Sequence, residues 1–122
     1  MVRTFTSSEG FTISIGENAA DNDKIRKAAH QNDLWFHLNK LSSAHAILHC
    51  GKAKSLPRVS IHETAQLVKY FSARHLVSVT IIYCKTRYVR GGGNVGSVQL
   101  KKATQNLNVS EDLRTLSYFG LE

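Results

Sequence analysis

The sequence predicts an α+β domain with a mainly antiparallel sheet and two principal helices, in the order β-β-α-β-β-α-β-β-β. Three observations point there. Several short runs alternate apolar and polar residues, two longer segments carry apolar residues at helical spacing, and the linkers between paired runs are short. Alternation is the period of a strand with one buried face, and short linkers favour antiparallel neighbours. Size agrees, since 122 residues with 42% apolar content suit one domain that buries roughly two thirds of its unfolded surface. Residues 1–109 are expected to form that domain and 110–122 a short C-terminal tail.

The elements follow in order. "VRTFT" and "FTISIG" alternate and are separated by "SSEG", whose glycine suits the tight turn of a hairpin. From Asn18 to Ala29, Asn and Asp near the start and Ile25, Ala28 and Ala29 at helical spacing predict a helix ending before "HQND". "DLWFHL" returns to alternation, with Leu34, Phe36 and Leu38 on one face and Asp33, Trp35 and His37 on the other. "HAILHC" is a second strand of this kind, and "NKLSSA" is short enough to pair the two antiparallel. After the polar loop "KAKSLPR", the segment "SIHE" has the form of a capping box, with Ser60 and Glu63 serving each other's backbone N–H. The helix it opens carries Ile61, Ala65, Val68 and Phe71 or Ser72 on one stripe and runs to about Arg74. "VSVTIIYC" has the β-branched density of a central strand, with "TRYV" continuing or following it, and "GSVQL" and "NLNV" supply two more. In the tail, Ser110 could cap one helical turn.

Charge is informative once it is located. Residues 1–50 hold five basic and five acidic side chains, so the formal +7 falls entirely after them. Between Glu63 and Glu111 there is no Asp or Glu, while Lys69, Arg74, Lys85, Arg87, Arg90, Lys101 and Lys102 all fall in that interval. A one-signed field of this kind attracts polyanions, of which nucleic acid is the commonest for a small basic domain; a solubilising surface is the plain alternative. Cys50 and Cys84 match no Cys-x-x-Cys pattern and follow no apolar leader, as expected for reduced thiols in a cytoplasmic protein. No apolar run approaches the length of a membrane span.

Chemical motifs are weak. "GGGNVG" holds Gly91, Gly93 and Gly96 at dinucleotide-loop spacing, but the residues that follow, "SVQL", read as strand and not helix, and Ser97 replaces the lysine of a Walker loop. A flexible hairpin tip flanked by Arg87, Arg90, Lys101 and Lys102 fits better, with bare amides able to approach phosphate. His37, His45 and His49 could converge on zinc if their strands paired suitably. Yet "HETAQ" puts Gln66 where a zinc helix needs histidine, and His62 forms the single His-x-Thr of the chain. Ser42, Ser43 and the cysteines have no elbow or recognisable base partner, so catalysis is not expected, and no cofactor is.

"NDLWFHLNKLSSAHAILH" resembles the signature of the NFACT RNA-binding domain family, in which an Asp-x-Trp-Phe-His strand precedes a short loop and a Ser-Ala-His strand. "ISIGENAADNDKI" is similar to that family's Gly-x-Asn-x-x-x-Asn-Asp segment, at Gly16, Asn18, Asn22 and Asp23. "HETAQLVKYFSA", "VTIIYC" and "VGSV" match its later helix and strands, so the resemblance spans residues 2–109 and is nearest to short stand-alone members. It implies RNA binding near translation, in ribosome-associated quality control, with tRNA or rRNA as partner. Stand-alone relatives usually continue into a charged helical tail, whereas this chain ends after "SYFGLE", and Gly91–Gly93 stand where relatives keep more lysine.

The expected contacts follow from ring and charge chemistry. Trp35, His37 and His45 are candidates to stack unpaired bases, and Lys85, Arg87, Arg90, Lys101 and Lys102 to hold phosphates. Trp35 as core filling is the alternative. DNA could substitute for RNA, a ribosome-associated protein could be the real partner, and a histidine-dependent hydrolase is the remaining rival.

Overall fold

A computed structural model describes residues 1–121. Strand β1 (Arg3–Thr6) and β2 (Thr12–Ile15) form the expected hairpin, followed by α1 (Ala19–Ala28), β3 (Leu34–Leu38), β4 (Ala46–Leu48) and α2 (Arg58–Ser72). Then come β5 (Ser78–Lys85), a 3-10 turn at Thr86–Tyr88, β6 (Val89–Gly91), β7 (Val98–Leu100), β8 (Gln105–Ser110) and α3 (Leu113–Tyr118). The α+β class is as predicted. Six strands form one wholly antiparallel sheet in the order β1-β2-β4-β3-β5-β8, and β6 pairs with β7 in a separate ribbon.

The alternation of β3 is what organises the layers. Leu34, Phe36 and Leu38 join Ile13, Ile15, Leu48 and Ile81 in a core closed by Ile61, Ala65 and Val68 of α2. Trp35 points the other way, into a second core with Ile47, Ile82, Cys84, Ile25 of α1 and Val89 of the ribbon. Both faces of the central strands are therefore covered, one by α2 and one by α1 with the β6–β7 ribbon.

Three local expectations are corrected. Ser60 and Glu63 do not form a capping box, because α2 begins three residues earlier, at Arg58 with Pro57 as its unassisted cap. The Glu9 carboxylate, from the β1–β2 turn, accepts from Ser60 N–H (2.8 Å) and the Ser60 hydroxyl (2.6 Å), while Glu63 accepts from Ser8 N–H (2.9 Å). Both carboxylates tie the hairpin to the start of the helix, where the dipole favours negative charge. The glycine-rich tip is a docked hairpin: Gly96 N–H donates to Asp23 Oδ2 (3.1 Å). At φ +82°, a side chain on Gly96 would also come within 2.7 Å of Ala19 Cβ, so glycine is needed on both counts. In segment 110–122, α3 is capped by Asp112 in place of Ser110, and Leu116 is buried. Phe119 meets Phe5 edge to face at 5.4 Å. The last residue, Glu122, falls outside the described residues.

Candidate nucleic-acid interface

The rings singled out in the sequence are together, but they are inside. Trp35 is 1% and His45 3% exposed. Trp35 Nε1–H donates to His45 Nδ1 (3.1 Å), and His37 stacks on Trp35 with centroids 5.5 Å apart. Trp35 and His45 therefore have no free ring face to offer a base, which corrects their assignment as a stacking platform. His37 is half-buried, and its Nδ1–H donates to the Leu38 carbonyl (2.5 Å).

Burial pushes the His45 imidazole down to about 4, with His37 a smaller contribution in the same direction. The unfolded ring, with an ordinary value near 6.5, then binds more protons than the folded one between those values. Stability conferred by neutral His45 is complete above about pH 6.5 and is lost as pH falls toward 4. The expected result is a stability curve that drops by roughly 3 kcal/mol over that window, with a flatter curve for His45→Gln, as read by urea unfolding at stepped pH.

His49 is held apart from this pair. Its Nε2 meets the Ser14 hydroxyl (2.9 Å) and its Nδ1 meets Asp33 Oδ2 (3.2 Å). Among the described residues no group of three or more His, Cys, Asp or Glu side chains could hold a metal ion.

Asp33, 4% exposed, is the residue whose importance the sequence did not reveal. Its carboxylate accepts from His30 N–H (2.9 Å), Gly51 N–H (2.8 Å) and His49. Its carbonyl accepts from Thr86 N–H (2.8 Å) and the Thr86 hydroxyl (2.9 Å). A side chain at Gly51 would come within 2.8 Å of this carboxylate. One buried acid thus fastens three loops at the same end of the sheet, where β3 begins and β5 ends. Three residues of the Asp-x-Trp-Phe-His run are scaffold: Asp33 clamps loops, while Trp35 and Phe36 fill opposite cores.

Those loops frame a trough. One cavity of about 450 Å³ lies among Leu34, Leu56, Tyr83, Tyr88, Lys85 and Lys102, with Gln105 at its edge. A second of about 260 Å³ shares Leu34, Leu56 and Lys85 with it and adds Lys54 and Asn32. No Asp or Glu lines either one. Cys84 in the wall is pushed up to about 11 by burial, and burial likewise raises Cys50. Both thiols stay protonated at neutral pH and bring no negative charge to the walls. Lys102 Nζ sits 4.8 Å over the Tyr88 ring, a cation–π contact.

Of the predicted phosphate-holding residues, Lys85 and Lys102 line one cavity together. Arg87 is exposed and donates to Asn32, which lines the smaller cavity. Arg90 and Lys101 are exposed but line neither cavity; Arg90 bonds Gln99 across the ribbon (3.0 Å). Lys54, Tyr83 and Tyr88, which also line the cavities, are not among the residues the sequence singles out. Both tyrosines fall inside the acid-free interval, so aromatic residues within that interval are the sequence signal that marks them.

Fold and surface together define a small α+β domain with a cationic, aromatic-lined trough at one end of its sheet. The chain belongs to the NFACT protein RNA binding domain family, whose model matches residues 1–102. It is 36% identical over 92 residues to coiled-coil domain-containing protein 25 of Bos taurus, covering 68% of this chain and 44% of that one. It is 28% identical over 92 residues to the Rqc2 homolog RqcH of Bacillus subtilis, covering 74% of this chain and 16% of that protein. The chain thus spans less than half the length of these relatives. The structure of the C-terminal part of the fibronectin/fibrinogen-binding protein from Streptococcus suis superposes with a TM-score of 0.84 at 22% identity. That match covers 97% of this chain and 48% of the other, and it supports the fold. No helix among the described residues is long and apolar enough to cross a membrane.

Proposed function

We propose that this domain is a non-enzymatic RNA-binding module whose contact surface is the Lys54–Lys85–Lys102 trough, with Arg87 at its margin. The observation that carries the reading is that two adjoining cavities present lysines and tyrosines with no carboxylate in their walls. Lysine ammonium groups neutralise phosphates and release counterions, which supplies most sequence-independent affinity. Membership of an RNA-binding domain family supports RNA as the polyanion, and similarity to RqcH proteins supports a cytoplasmic role in ribosome-associated quality control, with tRNA or rRNA as the ligand.

The test is affinity for RNA and for DNA of matched length across a salt series, for wild type and Lys85→Ala/Lys102→Ala. Binding weakened by the substitutions supports the trough. Wild-type binding indifferent to both lysines would overturn it and favour a surface that docks on protein.

A further inference from the structure

We infer that the larger cavity is a pocket for one unpaired nucleobase, so that the ligand this domain prefers is RNA with a single-stranded or splayed-out segment. The inference rests on the RNA-binding reading of the same surface and adds the form of RNA. At about 450 Å³ the cavity falls in the range of ligand pockets, roughly 300–1,000 Å³. Phosphate contact alone needs no such concavity, since a flat basic surface serves.

The walls have the composition that a base requires. Leu34 and Leu56 are apolar, Tyr83 and Tyr88 are aromatic, and the Gln105 amide offers one donor pair and one acceptor to a base edge. Tyr83 already stacks on Phe36, with centroids 5.3 Å apart and planes 19° apart, which holds its ring orientation in advance. Tyr88 has its ring covered by the Lys102 ammonium. That cation rides on a flexible four-carbon stem, so it can swing to a phosphate and leave the ring face to a base. Lys85 at the same rim and Lys54 in the adjoining cavity then follow the backbone on either side. A base in an A-form duplex is stacked between its neighbours and cannot enter, so a duplex can engage only the cations.

Fluorescence anisotropy with three short labelled probes distinguishes the possibilities: single-stranded RNA, the same strand in a duplex, and the same strand with abasic sites. The variants are Tyr88→Leu, which keeps apolar bulk where the ring packs on the second core, and the exposed Gln105→Ala. The expected result is that wild type binds the intact single strand on the order of tenfold tighter than the abasic strand or the duplex. Tyr88→Leu should lose most of that advantage, and Gln105→Ala should lose part of it. Equal affinity for intact and abasic strands overturns the inference. If Lys85→Ala/Lys102→Ala still weakens every probe in that case, RNA binding along the trough survives and only the base pocket fails. Absence of binding to any probe overturns both.

Discussion

Trp35→Ala is expected to destabilise the fold by about 3–5 kcal/mol, the usual cost of emptying a large aromatic site in a core. Its indole is 1% exposed among Ile25, Ile47, Ile82 and Val89, so truncation opens a cavity that α1 and the ribbon would have to collapse together to fill. The cost should sit toward the upper end, because His45 Nδ1 also loses the indole N–H that satisfies it and a buried unpaired acceptor is itself expensive. Trp35→Phe should cost less and keep RNA affinity close to wild type at temperatures where it is folded. Urea denaturation and anisotropy on the same samples check both halves. A Trp35→Phe protein that is fully folded but binds RNA poorly would restore the indole as a ligand contact.

The second large effect is on binding. If Lys85 and Lys102 each neutralise a phosphate on a single strand, each contributes about −0.7 to the slope of log K against log salt, so the double alanine variant should be shallower by about 1.4. Its affinity at low salt should fall at least tenfold, and the gap should narrow as salt rises. Arg90→Ala/Lys101→Ala removes the same formal charge from positions that line neither cavity. Its effect should be smaller, since neither side chain lines the cavities that hold the strand. Equal losses for the two double variants would mean that total charge matters and the trough does not.

The fold was legible where the signal was local and repeated. Alternation in "DLWFHL" assigned Leu34, Phe36 and Leu38 to one core, and that is where they are. A strand's period of two shows which residues share a face but not what covers it, so Trp35 and His45 were offered to a ligand although α1 and the ribbon enclose them. Ser60 and Glu63 have capping-box spacing, yet Glu9, 51 positions away, takes the Ser60 donors. No local pattern encodes a competitor brought in by the tertiary fold. "GGGNVG" read as a flexible tip for the same reason, because the need for glycine at Gly96 comes from its contact with Ala19 on another element.

The residues of the proposed trough were half legible. The acid-free interval from Glu63 to Glu111 located Lys85 and Lys102, since charge composition survives folding. Lys54 lies outside that interval, and its place beside Lys85 depends on the loops that Asp33 fastens. A buried carboxylate with three donors looks, in sequence, like any other Asp on the polar side of a strand.

The most direct test of the central claim is a titration of isotope-labelled protein with single-stranded RNA, followed by amide and side-chain NMR shifts. Binding in the trough predicts the largest shifts at Lys54, Lys85, Tyr88, Lys102 and Gln105, with Trp35 Nε1–H nearly still. Shifts concentrated on Arg90, Gly93 and the ribbon tip, with the trough residues unmoved, would contradict it.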